Sequence, residues 1–423
     1  MQSADQLDPQ PWMTAPETAA VMAALASAGG EARFVGGCVR DAVLGRAVAD
    51  IDIATHEPPE RVMNLLKRAR IKVVPTGIKH GTVTAVVGHQ HFEITTLRRD
   101  VETYGRRAKV EYTNDWTADA ARRDFTMNAI FCAADGTLHD PFGGIADLKA
   151  RKVRFVGEAE ARIREDVLRL LRFFRFQAHY GSPPPDPSAL AACRKLAHLL
   201  PTLSGERVAG ETLKLLRAAD PAGIVELMRD DGVLRHYLPE ATNTARLRAL
   251  VAIEGSAPRE LVGRVDPIRR LAALLDGKAE NAEAVARRLR FSNVERERLT
   301  GLADGAAVTP DLSQPARHRL VYRLGGGRFR DRALVGWAAA VNGGKPERHA
   351  GDAWLDLLGS AGWEAPPFPL KGRDAVRLGV APGPDVGRLV EQVEEWWIAG
   401  DFQADRAACI EKLKELAGIQ TAE

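Results

Sequence analysis

Cysteine is scarce: the 423 residues include only Cys38, Cys132, Cys193 and Cys409, far apart and with no CxxC pair. That excludes a disulfide framework, gives no zinc signature and points to a reducing compartment. Long apolar runs are missing as well. None approaches the ~20 residues that span a bilayer, and the opening "MQSADQLDPQPWMTAPETAA" has neither a basic start nor an apolar core. The expected location is therefore the cytoplasm, with no membrane association. The ten histidines are scattered, and the one His-Asp neighbour pair, His139 and Asp140, has no companion cluster, which leaves no metal-phosphohydrolase centre. Lysine is also in short supply, 13 against 46 arginines. Arginine grips phosphate and base edges in a planar fork, although a GC-rich genome produces the same bias. The formal charge of +3 says little about nucleic acid by itself.

What the chain does have is ordinary globular composition, 45% hydrophobic and 27% charged, in a length that suits more than one domain. As far as about residue 155, short β-rich stretches ("ARFVGG", "IDIAT", "IKVVPT", "TVTAVVG", "HFEITTL", "KVRFVG") mix with helical ones such as "PPERVMNLLKRAR". This alternation predicts an α+β domain. From about 158 the strand signals vanish and amphipathic segments follow one another, interrupted at "GSPPPDPS", "NGGKPERHAGD" and "APPFPLKGRD". The expected division is a helical lead-in over 1–30, an α+β domain over 31–155 that is expected to carry the chemistry, and helical segments over 156–220, 221–310 and 311–423.

The densest chemistry lies in "FVGGCVRDAVLGRAVADIDIAT". Phe34 and Val35 end a strand, Gly36 and Gly37 turn the chain, and "CVRDAVLG" reads as a short helix closed by Gly45. A glycine turn opening a helix presents N–H groups and the positive end of a dipole to an anion, and Arg40 sits where it would reinforce that grip. The pattern is not the GxGxxG dinucleotide fingerprint, and no alternating βαβ units follow, so a Rossmann oxidoreductase does not fit. Asp50 and Asp52 come next, with Ile51 and Ile53 between and after them. On a strand both carboxylates share one face while the isoleucines enter the core. Two like charges so placed repel unless a divalent ion joins them, and oxygen-only ligands favour Mg²⁺. Two such metals activate an attacking hydroxyl and stabilise a leaving pyrophosphate.

These residues resemble the class II tRNA nucleotidyltransferases, a family that also contains bacterial poly(A) polymerases. "GGCVRDAVLG" with "DID" is similar to the family's glycine turn and metal-binding aspartates, and "RRDFTMNAI" at 122–130 to its second motif. "DPFGGIADLKARKVRFVG" resembles the link from head to neck, "EDVLRLLRFFRF" the nucleotide-selecting helix, and "SGERV" at 204–208 the start of the supporting neck helix. The motifs stand in order over about 33–208. The later "LKGRDAVRLGVAPGPDVGRLVEQV" is similar to the tail of the tRNA enzymes, less specifically. The resemblance implies a polymerase β-like mixed sheet followed by an elongated all-α neck, body and tail. It also implies Mg²⁺ on Asp50 and Asp52, and nucleotide contacts at Gly37, Arg40, Arg123, Asp166, Arg169, Arg172 and Arg175. Arg122 and Asp124 fit structural ion pairs equally well, and Asn128 fits either a sugar contact or a plain helix role.

Within that resemblance, positions 166, 169, 172 and 175 form a slanting row along one side of a helix. Asp166 offers only acceptors and Arg169 only donors. Cytosine and adenine each present an amino donor beside a ring-nitrogen acceptor, so one Asp–Arg pair satisfies either, while guanine and uracil present the opposite pattern. Phe173, Phe174 and Phe176 read as core. The segment 97–116, centred on Gly105, resembles the flexible loop that helps members of the family add the terminal A; an exposed, salt-bridged hairpin is the alternative reading. The expected activity is thus template-independent addition of CMP, CMP and AMP from CTP and ATP to the tRNA 3′ end, with no obligatory protein partner evident. A poly(A) polymerase or CC-adding relative, or a noncatalytic RNA-binding protein, are the competing readings. Lys371 and Arg373 are candidate tRNA contacts, since basic surfaces bind phosphate without regard to sequence.

Overall fold

The computed structural model describes residues 6–27, 29–104, 107–303, 308–343 and 350–419. The chain packs as two compact units, Met1–Pro239 and Glu240–Glu423. A seven-stranded mixed sheet organises the first. Its strands are β1 (Ala32–Val35), β2 (Ile51–Thr55), β3 (Lys72–Gly77), β4 (Thr82–Val87), β5 (Gln90–Thr96), β8 (Phe131–Cys132) and β9 (Leu138–His139), in the order β3-β4-β5-β2-β1-β8-β9. Among the described residues only β2 and β5 pair in parallel, in register Asp52↔Glu93. Between these strands in sequence, β6 (Arg98–Tyr104) and β7 (Arg107–Tyr112) form a separate antiparallel hairpin. It occupies the expected loop, whose centre, Gly105, lies outside the described residues.

The α+β reading of the first part and the helical reading of the rest both hold. One strand does not: "KVRFVG" contributes only an isolated bridge, Phe155 to Phe125. Its β-rich residues are buried for packing instead, Phe155 against both Phe125 and Phe173. The alternation on β2 is as expected, with Ile51 and Ile53 buried and Asp52 partly exposed. Each such isoleucine contributes about 1.5–3 kcal/mol by leaving water, so the aspartate's direction is fixed by its neighbours.

Three helices complete the site. The first, α1 (Gly37–Val43), follows β1 directly; α2 (Ala159–Glu165) and α3 (Leu168–Tyr180) meet at Asp166 and Val167. Phe173 and Phe174 are fully buried and Phe176 nearly so, which makes α3 part of the core as well as a wall of the site. A further helix, α4 (Gly205–Leu216), packs against α3. In the second unit, one core gathers Leu250, Phe329, Leu334 and Trp354, and another gathers Leu370, Leu389, Trp397 and Leu413. Among the described residues no helix is long and apolar enough to cross a membrane.

Candidate functional site

A cleft of about 410 Å³ opens in the first unit where β1, β2, α1 and α3 converge. Six arginines (Arg40, Arg122, Arg123, Arg169, Arg172, Arg207) and three aspartates (Asp52, Asp124, Asp166) line it. The excess of positive charge suits a polyanion.

Its floor is the glycine turn. Gly36 has φ +76° and ψ −124°, a backbone conformation that L side chains rarely adopt. A Cβ there would also lie 3.7 Å from Arg123 Nη1 and 3.8 Å from Asp52 Oδ2. The turn therefore brings main chain, cation and carboxylate together with no side chain between them. Arg40, one turn into α1 and buried, is held on several sides. It donates to both oxygens of Asp41 at 3.0 and 2.9 Å and to Asn128 Oδ1 at 2.8 Å. The Tyr180 ring lies 4.3 Å from its guanidinium carbon, and the Tyr180 hydroxyl donates to Asp41 at 3.0 Å.

Burial, reinforced by the charge of Glu93 and then of Asp50, pushes the Asp52 carboxyl up to about 6, although Arg123 and Arg40 pull the other way. Glu93 escaped sequence reading. It stands alone between buried Phe92 and Ile94 in "HFEITTL", and only the parallel pairing of β2 with β5 sets it beside Asp52. Asp50 is exposed and precedes β2. Among the described residues no three His, Cys, Asp or Glu side chains are gathered closely enough to hold an ion. The donor set nonetheless fits a divalent cation: mutually repelling, all-oxygen carboxylates whose ionisation a +2 charge would favour.

A chain of charged contacts runs from this floor to the helices. Asp119, almost fully buried, pairs with both Arg122 (2.7 Å) and Arg123 (2.9 Å), which hold its carboxyl below the usual range against the opposing effect of burial. Asp124 accepts from Asn128 Nδ2 at 3.0 Å and from Arg172 Nε at 2.6 Å. Burial would raise its carboxyl, but Arg172 and Asn128 hold it low. Both Arg122 and Asp124 thus make the ion pairs that were one of their two readings. On the far side, Arg169 Nη2 donates to the carbonyl of Arg122 and Arg162 Nη2 to that of Arg123, each at 3.0 Å. Glu165 braces both, 2.5 Å from Arg169 and 2.7 Å from Arg162.

The expected row departs from a single helix at one end. Asp166 has extended backbone (φ −147°, ψ 105°) and caps α2 rather than lying on α3, where it accepts from the Leu168 N–H at 3.2 Å. Its carboxylate also receives Arg207 Nη2 on both oxygens, at 3.0 and 2.8 Å. Arg207, within "SGERV", is a second residue that sequence reading passed over. At the other end, Arg175 is outside the cleft lining. It pairs at 2.5 Å with the buried Glu211 of α4 and lies over Phe176. Arg169 and Arg172 stand between, both in the cleft. Gly37, Arg40, Asp52, Arg123, Asp166, Arg169 and Arg172 are therefore brought together, Asp50 and Arg175 lie outside the lining, and Lys371 and Arg373 belong to the second unit, both exposed.

Comparison with known proteins gives a consistent grouping. The family described as "Poly A polymerase head domain" matches residues 32–154, and that described as "Probable RNA and SrmB- binding site of polymerase A" matches 185–244. The CCA tRNA nucleotidyltransferase 1, mitochondrial, of Mus musculus is 34% identical, over 91% of this chain and 87% of its own. A CCA-adding enzyme of Levilactobacillus brevis is 31% identical, over 92% and 95%. Among solved structures, the Bacillus stearothermophilus CCA-adding enzyme in complex with CTP superposes with a TM-score of 0.72 at 27% identity, covering 95% of this chain and 97% of that one.

Proposed function

The chain belongs to the family of tRNA nucleotidyltransferases and poly(A) polymerases, and on that premise we propose that it adds CMP, CMP and AMP from CTP and ATP to the 3′ end of tRNA, releasing pyrophosphate. One observation carries this reading. A single cleft joins a glycine turn, an acidic strand residue and guanidinium groups to an Asp–Arg pair able to select a base, with no nucleic-acid template required.

In this reading the triphosphate lies over Gly36 and Gly37, where the first N–H groups of α1 face it. Arg40 and Arg123, already fixed by Asp41, Asn128 and Asp119, spread the charge that builds on the leaving pyrophosphate. Their fixed positions mean that little reorganisation accompanies the reaction. The cation of this family is divalent, and we take it as Mg²⁺, held by Asp50 and Asp52 with Glu93 adjoining. When bound, it supplies Lewis-acid stabilisation to the phosphates and lowers the pKa of the attacking hydroxyl.

The base is read at the joint of α2 and α3. Arg207 and the Leu168 N–H occupy Asp166 Oδ1, while Oδ2 has only Arg207, so an acceptor position remains for the amino group of cytosine or adenine. Arg169 donates through Nη1 to Glu165 and Arg162 and through Nη2 to the Arg122 carbonyl. Donors at Nε and Nη2 are left for the ring nitrogen. Arg172 is pinned by Asp124 beside them. We divide the chain functionally into lead-in 1–30, head 31–155, neck 156–220, body 221–310 and tail 311–423, the head division being supported by the match over 32–154. Lys371 and Arg373 remain candidate tRNA contacts in the tail. We place the protein in the cytoplasm and assign it no obligatory protein partner.

Labelled CTP or ATP, offered with tRNAs ending before, within and after CC, tests the activity. Addition of CCA only to the incomplete ends is the expected result; a long A tract on unrelated RNA would instead identify a poly(A) polymerase. Deleting Val101 to Arg107 is expected to spare CC addition and abolish A addition, and equal loss of both would count against a role for the hairpin in the last step. Activity retained after Asp50→Ala and Asp52→Ala would overturn the metal assignment.

A further inference from the structure

A second cleft, about 770 Å³, opens in the first unit at the far end of α3. It shares no lining residue with the cleft that holds Asp52 and Asp166. Its volume is that of a small-molecule site, and such sites combine apolar walls with a few placed polar groups. Pro183, Pro185, Ile224 and Leu227 supply apolar surface, the last two from the helix Ala222–Asp230. Arg46 and Arg151, both exposed, supply positive charge, and neither is in an ion pair among the described residues.

The two guanidiniums are held without being neutralised. Arg46 Nη2 donates to the His179 carbonyl at 3.1 Å while its guanidinium lies 4.5 Å from the Tyr180 ring, and Arg151 Nη2 reaches the Gly181 carbonyl at 3.4 Å. Each keeps further N–H groups for an anion. Asp220, the acid of the lining, is turned to the start of the helix Ala222–Asp230, where it accepts from the Ala222 N–H at 3.0 Å. His179 adds no charge at neutral pH. Burial lowers its imidazole pKa despite the bond from Nε2 to the Lys214 carbonyl at 2.8 Å, and Arg175 and Arg46 lower it further.

The lining also contains an acceptor with nothing to accept from. Gln177, in the last turn of α3 and 3% exposed, gives Nε2 to the Ser182 carbonyl at 3.1 Å, and its Oε1 is buried without a hydrogen-bond partner. A buried acceptor left unmet is destabilising, so its presence calls for a cause. The backbone makes room for that amide: a Cβ on Gly181 would stand 2.3 Å from Nε2 and 2.5 Å from Oε1. A buried acceptor, two exposed cations and apolar walls suit a flat ring that carries an N–H or O–H donor and a carboxylate or phosphate.

We propose that this cleft binds a small ring-bearing anion of that class, its charge taken by Arg46 and Arg151 and its ring donor by Gln177 Oε1. The site takes no part in the proposed nucleotide transfer, so the two stand or fall separately.

Indole-3-acetate, a flat ring with one N–H and one carboxylate, is the probe, titrated calorimetrically into the full chain with and without excess CTP. One equivalent should bind saturably, with an affinity that CTP leaves unchanged. The 1-methyl analogue, which lacks the N–H, should bind about fivefold more weakly, the loss of one hydrogen bond. Arg151→Glu should weaken indole-3-acetate by roughly tenfold or more, the loss of a charge-assisted contact. Gly223 lines the cleft, and a Cβ on it meets nothing within 4 Å, so Gly223→Phe should fill the space and abolish binding while the melting temperature holds. The absence of saturable binding to the wild type would overturn the inference, and so would equal binding to Gly223→Phe. Displacement of the probe by CTP would overturn it as well, since the anion would then sit among the arginines of the first cleft. Equal affinity for the two probes would overturn the part given to Gln177.

Discussion

Asp124→Asn should destabilise the protein by about 2–3 kcal/mol, an expectation that follows from which atoms face the carboxylate. Asp124 is 7% exposed and accepts from the Phe125 N–H at 2.9 Å, Asn128 Nδ2 at 3.0 Å and Arg172 Nε at 2.6 Å. An amide keeps one oxygen for the first two but turns N–H groups towards a guanidinium that has only N–H groups to offer. Removing one member of a buried pair costs about 3–5 kcal/mol. Arg172 retains 31% side-chain exposure, so water takes up part of its demand and the cost falls below that range, to about 2–3 kcal/mol. Urea denaturation of wild type, Asp124→Asn, Arg172→Ala and the double variant gives the coupling directly, expected at about 1–3 kcal/mol. A coupling below about 0.5 kcal/mol would refute the reasoning. The pH dependence adds a second check. The folded carboxyl is held below its unfolded value of about 3.9, so its stabilisation is fully present above that value and lost as pH falls through the folded pKa. The stability gap between wild type and Asp124→Asn should hold through neutral pH and narrow only below about pH 4.

Asp52→Asn should raise the melting temperature of the metal-free protein at pH 7 while abolishing nucleotide incorporation. A carboxyl raised to about 6 disfavours the folded state wherever it is ionised, and that penalty fades as pH drops below 6; an unchanged or lowered melting temperature would argue against the repulsion described. Tyr180→Phe removes only the bond to Asp41 and should change KM for CTP by less than about fivefold, in line with about 1 kcal/mol for one hydrogen bond. Tyr180→Leu also removes the ring stacked on Arg40 and should raise KM further, which steady-state kinetics at saturating tRNA would show. Arg207→Ala withdraws the brace from Asp166 and should weaken CTP and ATP alike, by roughly tenfold for a charge-assisted bond of about 1.5 kcal/mol; an effect on one nucleotide alone would mean that Arg207 touches the base itself.

How far these features could be read from sequence depended on how local they are. The direction of Asp52 follows from the isoleucines on either side, and the Gly36 turn from two adjacent glycines before a helix, so both were legible. Glu93 was not, because its meaning comes from a parallel partner strand some forty residues away. Asp166 and Arg169 were recognisable by type and order, yet spacing alone placed both on one helix. The extended residue between α2 and α3 breaks that row, and only the fold reveals Arg207 as the brace. Arg175 fits the three-residue spacing perfectly and still faces Glu211, since a helix inserted between neighbours has more than one face to satisfy. "KVRFVG" misled in the opposite sense: β-branched and aromatic residues serve a buried crossing as well as a strand.

The joint between the sheet and the helices has an engineering consequence. Arg162 and Arg169 grip the carbonyl oxygens of Arg123 and Arg122, atoms that every amino acid carries. Half of that coupling is therefore indifferent to which side chains occupy 122 and 123, provided the backbone path is kept. A chimera that exchanges the sheet-bearing segment for one from a distant relative should still find those two handholds waiting. Recombination at this seam should consequently be tolerated better than recombination through the middle of α3, where Arg172 and Arg175 pair with the particular carboxylates of Asp124 and Glu211.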